Sequence, residues 1–159
     1  MKVTKGAQGP AAAPSVDAGE EVKRALFPED HVFQAPWMKF VVMLVGGVGG
    51  EAVLATLPFD RGSNLTHRDV VRAFATRNKV ETVLVVGGGF LRRMDAERVI
   101  VAEGTSGHYG SVHPAVVTTL LREAIEAEQL TGWRIHVIED DQFESEQVTR
   151  RIERFDSGA

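Results

Sequence analysis

Two features of this sequence have the residue types and spacing to do chemistry: a histidine at a helix start and a glycine-rich loop. His67 directly follows Thr66, and Asp69 stands three residues after that threonine. A threonine side chain can cap a helix, and a carboxylate three residues on fits a capping-box-like start. His67 then lies in the first helical turn, and its spacing to Val71 and Phe74 aims it along the inward face. The positive end of the helix dipole and partial burial both disfavour an imidazolium, so the ring is expected to be neutral at physiological pH. A neutral imidazole is what a nucleophile or general base requires. The alternative is a packed or capping histidine with no chemical role.

The loop is Gly104-Thr105-Ser106-Gly107-His108-Tyr109-Gly110, set between an apolar strand pattern and a helix pattern. Glycines let successive backbone N–H groups approach an anion without Cβ interference. Thr105 and Ser106 add hydroxyl donors, and the N-terminus of the following helix adds unsatisfied N–H groups and its dipole. The loop therefore reads as a cradle for a phosphate-like anion, with a ligand-free connection as the alternative. It has neither the lysine of a P-loop nor the glycine spacing of the dinucleotide fingerprint. Gly46 to Gly50 is the other glycine run, but a strand pattern follows it, which favours a hairpin turn over a nucleotide loop.

Several classes of chemistry find no residues to carry them. The 159-residue chain contains no cysteine, so disulfides, thiolate metal sites and cysteine nucleophiles are excluded. His31, His108, His113 and His136 show no metal-ligand spacing, and no metal or other cofactor is expected. Glu139, Asp140 and Asp141 read as a solvated strand end. No paired-aspartate motif follows a strand, and no Arg-His-Gly signature is present. A formal charge of −4 without a basic stripe argues against nucleic-acid binding. No apolar run reaches the ~18 residues of a membrane span, and the start lacks a secretory plan, so a cytoplasmic location is expected.

The elements that must position these groups follow from periodicity. Residues 1–35 are rich in Gly, Ala, Pro and charge and read as a largely disordered tail, with a possible docking point at Leu26-Phe27. Phe40–Val45 and Ala52–Leu57 are β-rich runs, and Val70, Val71, Phe74 and Ala75 recur at helical spacing. Val83–Val86 reads as a buried strand ending in Gly87-Gly88-Gly89, with Val99–Ala102 as its hairpin partner. Pro114 suits a first helical turn, and Val117, Leu120, Leu121, Ala124 and Ile125 form a stripe. Trp133, Ile135 and Val137 alternate as a half-buried strand, and residues 142–159 read as a charged tail. The fold class is α/β with α+β character: a single mixed sheet, order β-β-α-β-β-α-β, with two packed helices over residues 36–141.

In order along the chain, these pieces resemble the Janus/Ocnus family of small phosphohistidine phosphatases. Lys39-Phe40-Val41 matches the family's opening strand, and Arg61-Gly62 precedes His67 as an Arg-Gly pair precedes the family's active-site histidine, at an interval two residues shorter. His67-Arg68-Asp69-Val70 matches that histidine and its helix. Gly87-Gly88-Gly89 matches a triple glycine, and Ser106 with Tyr109-Gly110 matches the phosphate loop. Two positions depart: Phe90 stands where the family often has arginine, and His108 where a small residue is common.

The resemblance implies a cofactor-free protein histidine phosphatase, a hydrolase of the N–P bond acting on a phosphohistidine-containing protein and expected to be monomeric. It implies His67 as nucleophile or general base, residues Thr105, Ser106, Gly107, His108, Tyr109 and Gly110 as the phosphate cradle, and Lys39 and Arg61 as the charges beside it. The departures at Phe90 and His108 favour the alternative, a catalytically silent phosphate- or phosphoprotein-binding regulatory module.

Overall fold

Apolar alternation in the strands and two well-capped helices build a sheet with a helix packed on each face. The computed structural model describes residues 31–60, 62–138 and 151–155. β1 (Trp37–Val45) and β2 (Glu51–Pro58) pair antiparallel as a hairpin. Its turn bends through positive φ at Gly46, Gly47 and Gly49, where glycine meets no Cβ penalty. The glycine run is thus a turn with a strand after it. α1 (His67–Asn78) follows, then β3 (Thr82–Met94), β4 (Val99–Glu103), α2 (Pro114–Ala127), β5 (Arg134–Val137) and β6 (Arg151–Arg154).

The strands lie in the order β2-β1-β3-β4-β5, with β6 added to β3. All pairs are antiparallel except β4 with β5, whose parallel pairing needs the crossover that α2 supplies. This is the expected fold class and element order, with a sixth strand after it. Side chains alternate between two cores. Val41, Met43, Val83 and Val85 pack with Val70, Val71, Phe74 and Ala75 of α1 on one face. Phe40, Val42, Leu91 and Ile100 pack with Val117 and Leu121 of α2 on the other.

The helix starts are set locally. Thr66 is extended, its Oγ1 accepts from Asp69 N at 3.1 Å, and the Asp69 carboxylate accepts from Thr66 N at 2.9 Å. Both halves of the capping box are therefore made. Those bonds hold the Asp69 carboxyl below its usual range. In α2, Pro114 opens the first turn and His113 Nδ1 accepts from Ala115 N at 3.1 Å.

Three expectations are revised. The strand does not end at the glycines: β3 runs through them to Met94, because β1 pairs with it as far as Arg92 and β4 from Phe90 to Met94. The C-terminal segment is not only a tail, since residues 151–154 form β6 on β3. Residues 31–35, expected in the tail, belong to the packed body. Phe33 is buried there, and Glu128, Thr56 and Arg93 bond the backbone of Val32 and Phe33. Leu26-Phe27 lies outside the described residues. Among the described residues, no helix is long and apolar enough to cross a membrane.

β3 shares one of its edges between two partners. β6 occupies Thr82–Val85 and β4 occupies Phe90–Met94, leaving Val86 to Gly89 between them. The loop seats in that interval: Gly88 N donates to Gly110 O at 2.9 Å, and Ser106 N donates to Gly88 O at 3.1 Å. A Cβ at Gly87 would lie 2.6 Å from Ser111 O, and one at Gly88 2.5 Å from Phe40 O. The glycines are there for close backbone approach.

Because Thr66 both caps α1 and fixes the entry of His67, Thr66→Ala should lower stability by about 1 kcal/mol. Urea unfolding should show this as a lower midpoint with an unchanged slope. An unchanged midpoint would mean the cap contributes nothing.

Candidate functional site

His67 is the first residue of α1, placed by the cap, and its ring turns down onto the glycine segment of β3. A Cβ built on Gly88 would lie 3.0 Å from His67 Cδ2 and 3.4 Å from Ser106 Cβ, so imidazole and serine meet over the same glycine. The strand brings the two halves of the expected site together. Both groups are well covered, with His67 6% and Ser106 2% exposed.

The hydrogen bond of His67 fixes its tautomer. Nε2 lies 2.8 Å from Gly89 O. A carbonyl can only accept, so Nε2 carries the proton and, in the neutral ring, Nδ1 carries the lone pair. Among the described residues Nδ1 has no hydrogen-bond partner. Burial pushes the His67 pKa below 6.5, the Gly89 carbonyl opposes that shift, and the nearby Lys39 ammonium adds to it. Desolvation wins, and the ring is neutral at physiological pH.

Lys39 projects from β1, paired in register with Phe90 of β3. Its ammonium donates to Leu65 O and lies 4.8 Å from the Phe59 ring centre and 5.6 Å from that of Phe90. Phe90 in turn meets His67 edge-on at 5.4 Å. This aromatic wall of Phe59 and Phe90 was not foreseen. The only signal in the sequence is Phe90 following the triple glycine.

The loop's donors are more committed than its composition suggests. Ser106 N and Gly110 N are spent on backbone bonds, to Gly88 O and Ser106 O respectively. His108 N and Tyr109 N converge on one oxygen, Ser106 Oγ, at 3.2 and 3.0 Å. Two successive amides thus point at a single acceptor position, which the serine hydroxyl fills. Gly107 is exposed with open space around it, and Thr105 is half-buried.

The other expected residues separate into groups. The His108 side chain is exposed and stacks edge-on with Tyr109 at 4.6 Å. The Tyr109 ring is fully buried in the α1-side core, so the residue contributes its amide to the loop and its ring to the core. Arg61 lies outside the described residues. Among the described residues no cluster of His, Asp and Glu could hold a metal ion.

The shift of His67 has a signed consequence. Between its lowered folded pKa and 6.5, the unfolded chain binds a proton that the native chain does not. Stability therefore rises with pH across that window and is lost as pH falls through it. Glu128, raised above 4.5 by burial, contributes the opposite slope above 4.5. The difference between wild type and His67→Gln isolates the histidine. NMR should place the His67 midpoint below 6.5, and the stability difference should vary with pH only below about 6.5. A midpoint at or above 6.5 would contradict the buried neutral ring. No protein-family model matches this chain, and no curated protein matches it.

Proposed function

We propose that this chain is a metal-independent phosphohistidine phosphatase acting on protein substrates. One observation carries the reading: a buried neutral histidine, with its Nε2 proton held by Gly89 O, meets over Gly88 a serine on whose hydroxyl two amides converge. The family resemblance set out above supports the same assignment, with a phosphohistidine-containing protein as substrate, neither nucleic acid nor membrane as partner, and a monomer in the cytoplasm as the working form.

His67 Nδ1 has two possible roles. As nucleophile, its lone pair forms an N–P bond while the substrate's N–P bond breaks. The departing imidazole takes up a proton, and water then cleaves the phosphorylated His67. As base, Nδ1 takes a proton from the water that attacks phosphorus, and the substrate imidazole leaves with its own proton. Lys39 offsets phosphoryl charge in either case, an electrostatic effect that strengthens as water is excluded. Ser106 supplies its hydroxyl proton, and the amides of Gly107, His108 and Tyr109 supply further donors.

A second reading is a phosphate- or phosphoprotein-binding module without turnover. The observation favouring it is Phe90, whose apolar ring lies edge-on to His67 at 5.4 Å.

Hydrolysis of a phosphohistidine peptide with chelator present separates these readings. Wild type should turn over, and His67→Ala should lose roughly 10²-fold or more in kcat. Full activity in the variant would remove His67 from catalysis. Phosphate binding without hydrolysis by the wild type would establish the module. Acid-labile phosphate trapped on His67 would identify the nucleophile.

A further inference from the structure

The residues after the crossover strand carry a group with no assigned role. Glu153 projects from β6, and its side chain is only 13% exposed. Its two carboxylate oxygens go to two different parts of the molecule. Oε2 accepts from Tyr109 Oη at 3.2 Å, and Oε1 pairs with Arg68 Nη2 at 3.5 Å.

Each of those partners is one step from the candidate site. Tyr109 is the one fully buried apolar side chain of the loop, and its own N–H is one of the two amides converging on Ser106 Oγ. Arg68 directly follows His67 in α1. The position of Glu153 is fixed in turn by the sheet. β6 pairs with Thr82–Val85, immediately before the interval where the loop seats, and Phe155 N extends that pairing to Glu81 O at 2.7 Å. A phenol-to-carboxylate hydrogen bond is charge-assisted, and a largely covered carboxylate interacts more strongly than a solvated one.

We infer that Glu153 is a positioning residue that ties the anion loop to the helix carrying His67. The inference rests on the reading of residues 104–110 as an anion loop. Through Tyr109 it sets the height of the converging amides above β3, and through Arg68 it holds the first turn of α1 against them. β6 is then part of the site's framework.

The test uses inorganic phosphate as the probe and the full chain as the protein. Glu153→Ala should weaken phosphate binding on the order of tenfold, the affinity equivalent of about one hydrogen bond. It should also speed hydrogen exchange at the His108 and Tyr109 amides while the amides of Thr82–Val85 keep their wild-type rates. Glu153→Gln keeps an oxygen for Tyr109 and loses the ion pair to Arg68, so it should recover only part of the affinity. In turnover, Glu153→Ala should raise KM and lower kcat together.

Wild-type phosphate affinity in Glu153→Ala would overturn the inference. So would faster exchange throughout β3, which would mean that only β6 had detached. Absence of phosphate binding by the wild type would overturn it too. Failure of the wild type to hydrolyse phosphohistidine would overturn the proposed catalysis alone, because affinity and exchange carry this test without turnover.

Discussion

Backbone packed directly on backbone at Gly87 and Gly88 is the constraint on which the remaining geometry depends. Glycine inside a strand costs about 0.5–1 kcal/mol relative to alanine, so three in succession are a real burden on β3. A methyl group at Gly88 would nonetheless sit 2.5 Å from Phe40 O, well inside van der Waals contact with a carbonyl that the sheet holds in place. The steric penalty outweighs the entropic one. The missing Cβ atoms also open the space into which His67 and Ser106 converge, and they let the loop bond to β3 where neither β4 nor β6 reaches. The candidate site is therefore a consequence of how the sheet edge is divided.

The electrostatics of His67 follow from that placement. A ring pressed onto a strand loses water, which favours the neutral form. The Gly89 carbonyl bonded to Nε2 pulls the other way, because it also stabilises the cation. Desolvation is the larger of the two, and the Lys39 ammonium adds to it. The carbonyl's main effect is to choose which nitrogen holds the proton. Asp69 is close in sequence but is engaged with Thr66 in the cap, so its charge is held by the helix start.

Much of this was legible because it depends on near neighbours. Thr66 and Asp69 announce the cap through their spacing, Pro114 announces α2, and the alternation at Trp133, Ile135 and Val137 announces a half-buried strand. The failures share a different cause. Gly87–Gly89 read as a strand end because glycine punctuates chains, and only the distant backbone packed against them, Ser111 at Gly87 and β1 at Gly88, explains a glycine strand that continues. Residues 151–154 are mostly charged, and their one aliphatic residue, Ile152, is 51% exposed, so no hydrophobic period marks β6. Tyr109 enters the cradle through the resemblance, by its backbone amide, and its glycine and polar neighbours do not say where its ring goes. The ring points into a core assembled from distant segments. The amide bonds that the loop spends on Ser106 Oγ are local, a serine turn to the residues two and three positions on, and only their effect on the donors left for an anion needs the structure.

Those internal bonds bear on whether the loop can take an anion at all. A neutral hydroxyl at 3.0 and 3.2 Å from two amides makes ordinary hydrogen bonds, each with a net worth of about 1 kcal/mol. A phosphoryl oxygen in the same place would make charge-assisted ones, roughly twice as strong. The exchange favours the anion provided Ser106 can rotate and donate its own proton to the incoming oxygen, which adds a bond instead of losing one. Ser106 thus holds the two amides aligned on one point, and such alignment is what the proposed anion cradle would need. Conformational freedom in the loop would cost affinity at the moment of binding, whereas a turn already closed by Ser106 meets most of that cost during folding.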